Sequence, residues 1–105
     1  MGTCLHEGAF FKTPPNLSHG LYGIIVSKNA IIGANCTIFH QVTIGEGKGA
    51  PEIGDNCYIG AGAKIIGNIV IGDNVKIGAN CVAVEDIPNN CTVVLEKSRI
   101  IRRNN

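Results

Sequence analysis

The 105-residue chain reads as an all-β fold in which very short strands alternate with tight corners and wind into a coil. Three observations predict it. The apolar set is β-branched, with sixteen Ile and eight Val against four Leu, which favours strands over helices. The dipeptide Ile-Gly recurs at 32–33, 44–45, 53–54, 59–60, 71–72 and 77–78, the mark of an internal repeat. Fourteen Gly, four Pro and eleven Asn supply many corners.

Written in sixes, the lead residues are Val26, Ile32, Ile38, Ile44, Ile53, Ile59, Ile65, Ile71, Ile77 and Ala83. Four places later come Ala30, Cys36, Val42, Cys57, Ala63, Ile69, Val75, Cys81 and Ile87, apolar and mostly small. Six is a multiple of the strand period of two, so both sets can point inward; it does not match 3.6, so amphipathic helices are disfavoured. Three places after the leads stand Asn29, Asn35, Gln41, Asn56, Gly62, Asn68, Asn74, Asn80 and Asp86, where a corner with positive φ is expected. Each hexapeptide is then one flat side of a coil. Cys36, Cys57 and Cys81 fall on inward small positions and read as packing.

The register breaks once, between Ile44 and Ile53, which are nine residues apart. The segment 45–52 holds three Gly and a Pro, so a loop should leave the coil there, either as a tolerated surface insertion or as the wall of an active site. Residues 1–25 form an irregular first coil, 26–94 the regular hexapeptides, and 1–95 a single domain. Residues 96–105 make a basic tail with Lys97, Arg99, Arg102 and Arg103. It is either a solvated end or a handle for a phosphorylated cofactor.

Composition excludes several classes. Net charge is +1, so a general nucleic-acid binder is not expected. No apolar run reaches about 18 residues, so no membrane-spanning helix is expected. The first residues lack a basic stretch followed by an apolar core, so no signal peptide is expected. Five cysteines without a Cys-x-x-Cys pair fit a reducing cytoplasm.

The repeat resembles the hexapeptide-repeat acyltransferases. The resemblance implies a left-handed parallel β-helix, a three-sided prism with 18 residues per coil, here about 3–4 coils with one extruded loop. Right-handed crossovers are the general rule, so the hand comes from the resemblance. Within that superfamily the chain is most similar to serine O-acetyltransferases and to acetyltransferases of polysaccharide synthesis. The likeness lies in Ile38–Gly45, in Ile59–Asn68 and in the closing stretch Val84–Pro88 with Cys91–Val94.

The implied reaction moves acetyl from acetyl-CoA to a hydroxyl of serine or a sugar. A hydroxyl needs a base at neutral pH, and histidine suits that task. Ser18-His19-Gly20 resembles the family's Asp-His-Gly motif, which makes His19 the catalytic base. A lone histidine would otherwise read as a hydrogen-bonded structural residue. Ser18 and His40 belong to the implied acceptor pocket, with a trimer contact as the other reading of His40. For acetyl-CoA, the resemblance points to Gly45, Ala61 and Ala79 along the pantetheine arm and to Lys97 and Arg99 for the phosphates. Active sites between the subunits of a homotrimer are implied. The serine enzymes carry a helical N-terminal domain that this sequence lacks, so trimers are expected rather than hexamers.

Three positions depart from the serine enzymes. Ser18 stands where they have aspartate. Cys4-Leu5-His6 aligns with Asp-Ile-His, so a backbone carbonyl or Glu7 would have to orient the imidazole. Gly49-Ala50 before Pro51 replaces an Arg-His pair. Two other readings follow: a non-catalytic trimeric scaffold derived from an acetyltransferase, and a zinc site built on His6, His19 and His40. The latter is disfavoured, because no two of these histidines are five residues apart.

Overall fold

The computed structural model describes residues 4–5, 8–21 and 23–104. Within strand residues 4–5, 18–19 and 21 it describes the backbone only. The described residues contain fourteen short strands and no helix. They are β1 (Cys4–Leu5), β2 (Phe10–Phe11), β3 (Asn16–Leu21), β4 (Ile25–Val26), β5 (Ile31–Ile32), β6 (Thr37–Ile38) and β7 (Thr43–Gly45). There follow β8 (Glu52–Ile53), β9 (Tyr58–Ile59), β10 (Lys64–Ile66), β11 (Val70–Ile71), β12 (Lys76–Ile77), β13 (Val82–Ala83) and β14 (Thr92–Val93).

They form three parallel sheets, each taking every third strand. The first sheet is β1-β4-β7-β10-β13, the second β2-β5-β8-β11 and the third β3-β6-β9-β12-β14. This is a three-sided parallel β-helix. From β4 the chain makes three turns to reach β13. All ten lead residues are buried, from Val26 to Ala83, and Ile contributes seven of the largest fully buried side chains in this set. Each such Ile stabilises the prism by about 1.5–3 kcal/mol.

The small inward residues are buried as expected, Cys36, Cys57 and Cys81 among them. Their thiols point at carbonyls one coil on: Cys36 Sγ lies 3.2 Å from Gly54 O and Cys57 Sγ 3.1 Å from Gly72 O. The neighbouring Cys36 thiol, together with burial, pushes the Cys57 thiol up. The same contact with Cys57 lowers the Cys36 thiol, to about 7.

Two sequence expectations need correction. Asn35, Gln41, Asn56, Gly62, Asn74 and Asn80 do have positive φ, between 58° and 75°. Asn29, Asn68 and Asp86 do not. All three lie where the first sheet hands over to the second. There Ala30 N–H closes a turn onto Ser27 O at 3.1 Å, and Gly67 takes the positive φ (105°) one place before Asn68.

The register also breaks more than once. Leu17 pairs with Ile38 and Val26 with Ile44, so nine residues separate the leads Leu17 and Val26. Ile87 bridges Ile71, so only four residues separate the leads Ala83 and Ile87. Ile87 therefore occupies a lead position, not the small inward one, because an isoleucine satisfies either. The loop between Ile44 and Ile53 forms as expected. Its excursion spans 46–51, is tightened by Gly47 N–H to Gly49 O at 2.9 Å, and closes on a buried Pro51 whose carbonyl accepts Ile31 N–H at 3.1 Å.

Candidate functional site

The corner from the third sheet to the first stacks the predicted residues in a column. Parallel pairing sets Leu17, Ile38, Ile59 and Ile77 at successive levels. Two places after each lie His19, His40, Ala61 and Ala79. The side chains of Ser18 and His19, and all of His6 and Glu7, lie outside the described residues, as does the Cys4 side chain.

The local chain explains why His19 is set apart from the regular wall. It sits in β3, the longest strand, inside the nine-residue step. Gly20 (φ 74°) and Gly23 (φ 66°) take the left-handed conformations that carry the chain out and back. A side chain at Gly23 would also strike Gln41.

His40 is half-buried, with Nδ1 shielded from solvent. Its carbonyl accepts Gly62 N–H at 3.1 Å, and the Ala61 carbonyl accepts Asn80 N–H at 2.8 Å, so the column is pinned level to level. The Phe39 ring packs on Tyr58, centroids 5.0 Å apart, which fixes the strand beside His40. Above His40, Ala61 is half-buried and Ala79 exposed, each carrying only a methyl.

Gly45 lies elsewhere. It ends β7 at the far edge of the first sheet, opposite Ile66. There it helps form a groove of about 410 Å3 with Ile25, Ser27, Lys28, Ile44 and Glu46. Sequence reasoning did not single out Lys28 or Glu46. The signal was their register, since Ser27 N–H bonds Ile44 O at 2.7 Å and so sets the turn after β4 beside the loop root. Lys97 and Arg99 are exposed in the strand-free segment after β14. Among the described residues, no three His, Cys, Asp or Glu side chains are grouped as a metal site.

The architecture defines a class: a hexapeptide-repeat protein wound as a left-handed parallel β-helix. The model for bacterial transferase hexapeptides (six repeats) matches residues 50–82, and that for the hexapeptide repeat of succinyl-transferase matches 20–47. Together they cover more than half the chain.

Within that class, the chain resembles the serine acetyltransferases. The Synechococcus elongatus enzyme is 41% identical over 107 residues, covering 97% of this chain and 43% of its own. The Helicobacter pylori enzyme is 38% identical, covering 97% and 62%. Serine acetyltransferase isoform 3 of Entamoeba histolytica, solved in complex with cysteine, superposes with TM-score 0.86 at 37% identity, covering 97% of this chain and 38% of that one. The Neisseria gonorrhoeae enzyme, solved in complex with serine, gives 0.82 at 39% identity, covering 94% and 42%. The chain thus spans roughly two fifths to three fifths of the length of these relatives.

Proposed function

We propose that this chain is an acetyl-CoA-dependent O-acetyltransferase of the serine acetyltransferase type, with His19 as general base. The observation that carries the reading is similarity of about 40% identity along almost the whole prism, together with the matching fold. The acceptor is a small molecule bearing a hydroxyl, serine or a sugar.

In this reading His19 takes the hydroxyl proton as the oxygen attacks the thioester carbonyl. Backbone N–H groups near Gly45 stabilise the oxyanion. The intermediate collapses, the C–S bond breaks, and the imidazolium returns its proton to the departing thiolate. Ser18 and His40 contact the acceptor. Ala61 and Ala79 let the pantetheine arm lie close to the wall, and Lys97 and Arg99 bind its phosphates.

The placement of these residues supports a homotrimer with sites between subunits. Within one chain Gly45 and the Ala61–Ala79 column occupy opposite edges of the first sheet, so a site using both needs a second copy. Outward Ile25, Phe10, Ile31 and Val70 are 43–57% exposed on the first and second sheets and would be covered by partners. Free thiols at Cys36, Cys57, Cys81 and Cys91 suit a cytoplasmic setting, and among the described residues no helix is long and apolar enough to cross a membrane.

The test is acetyl transfer from acetyl-CoA to serine and to a panel of sugars. His19→Ala should lower kcat by roughly 10²–10⁴. Unchanged turnover would remove His19 from the role. Absence of CoA binding by calorimetry at millimolar ligand would favour the scaffold reading instead.

A further inference from the structure

We infer that the segment after β14 of one copy docks on the outer face of the second sheet of another copy, with Ile100 in a groove beside Val70 and Arg102 on Glu52 and Asp73. This deepens the homotrimer reading above by naming what covers that face, and it does not depend on acetyl transfer. Every residue from Val94 to Asn104 is exposed and free of strand. Ile100, at 97%, is the most exposed large hydrophobic residue among those described. The segment carries Lys97, Arg99, Arg102 and Arg103 against one acid, Glu96. Alternate residues share a side of an extended chain, so Ile100 and Arg102 stand together, about 6.6 Å apart, and Lys97 and Arg99 take the other side. Docking through Ile100 and Arg102 therefore leaves the proposed phosphate contacts in place.

The receiving face has the opposite charge. The second sheet turns Phe10, Ile31, Glu52 and Val70 outward, all of them exposed. The outward lysines of the strands, Lys64 and Lys76, lie on the other two sheets. Two grooves adjoin at Val70 and Gly72. One, of about 440 Å3, is completed by Asp86, Ile87, Pro88 and Asn89. The other, of about 240 Å3, is bordered by Ile31, Glu52 and Asp73. Their linings hold three carboxylates and no cation. Asp55 N–H donates to Asp73 Oδ1 at 2.8 Å and holds that carboxylate at the rim.

An apolar face rimmed by carboxylates thus meets an apolar segment flanked by arginines. Burial of Ile100 against Val70 and Pro88 supplies the main gain, because exposed ion pairs alone are weak. The planar fork of Arg102 matches a carboxylate and sets the register. The winding order selects a second copy. The chain passes from the first sheet to the second to the third, so the side that follows β14 is the first, and the second lies behind it. The segment's own prism leaves residues 94–104 exposed. The contact joins two different patches, the kind of interface that closes a ring of subunits.

The experiment places p-benzoylphenylalanine, an apolar photo-crosslinker, at position 100 of the full chain. Irradiation should give a covalent dimer, and mass spectrometry of its linked peptide should find residues 70–72 or 86–89 of the other copy. Arg102→Glu or Glu52→Arg in that background should each lower the dimer yield by about threefold or more, and the two together should restore it to within about twofold. Both positions are exposed, so the variants should keep the parent Tm. Linkage within one chain only, linkage to another surface, or no linkage would overturn the inference. So would a double variant no better than the singles. A trimer by sedimentation that gives no such link leaves the homotrimer reading standing and removes only this contact. Capture of the wild-type chain by phosphatidylserine vesicles, with no link between chains, would assign the segment to an anionic membrane and overturn the contact.

Discussion

The corner between the second and third sheets and the corner between the first and second are made from the same repeat, yet they behave as opposites. At the former, every step from lead to lead is six residues, from Phe11 to Leu17 through Ile87 to Val93. Asn35, Asn56, Asn74 and Asn90 all have positive φ, 58–62°. Asp55 accepts Ala34 N–H, Asp73 accepts Asp55 N–H and Asn89 accepts Asp73 N–H, all within 2.7–2.8 Å, so one coil caps the next. At the latter, Ile44 to Ile53 takes nine residues and Ala83 to Ile87 four, and no third-position Asn or Asp is left-handed. The regular corner satisfies its own backbone. The irregular one leaves space, a loop and two charges. Periodicity here lets one coil cap the next, and its interruption lets a loop leave the wall.

Substitutions can break the regular corner and should spare the irregular one. The largest effect is expected inside the regular corner: Ile71→Ala, at a lead that is 1% exposed, should cost about 2–5 kcal/mol by chemical denaturation. Next comes a matched pair of glycines. A methyl on Gly54 would lie 2.7 Å from the Gly72 carbonyl carbon and oxygen, so Gly54→Ala should cost about 1–3 kcal/mol. A methyl on Gly47, in the loop, would meet only Gly67 Cα at 3.4 Å, so Gly47→Ala should stay within about 0.5 kcal/mol. Equal losses from the two would erase the distinction between the corners. Asp73→Ala removes one rung of the ladder and should cost about 0.5–1.5 kcal/mol.

The contrast also explains what the sequence made legible. Lead and small inward positions were readable because a two-residue strand has one inward residue, and six keeps it inward. The Ile-Gly pairs were visible as a pattern, and the structure supplies the reason at Gly33 and Gly54, where the next coil's backbone leaves no room for a Cβ. Asn29 and Asn68 misled because asparagine tolerates positive φ without requiring it. Ile87 misled because two register positions both accept an isoleucine. His40, Ala61 and Ala79 were legible as positions two places after a lead isoleucine, whereas His19 joins their column only through the nine-residue step from Leu17 to Val26, which a strict six-residue register does not contain. The separation of Gly45 from that column was not legible, since it depends on which side of the prism each hexapeptide occupies. Lys28 and Glu46 are 18 residues apart, one full coil, and they become neighbours only once the coil is closed.

The smallest expected effect sharpens the comparison through pH. Asp55 at the regular corner has its carboxyl held below the ordinary carboxylate range, first by the Ala34 N–H and then by the Lys12 ammonium at 3.6 Å. A pKa depressed by folding contributes stability that is present above the unfolded value, about 3.9, and is lost as pH falls through the folded value. In Asp55→Asn the amide oxygen can still accept the Ala34 N–H, while the charge facing Lys12 is gone. Its Tm should therefore lie slightly below wild type near neutral pH, and the two curves should converge below about pH 4 as wild-type Asp55 takes up its proton. The pair with Lys12 is solvent-exposed, so added salt should narrow the neutral-pH gap.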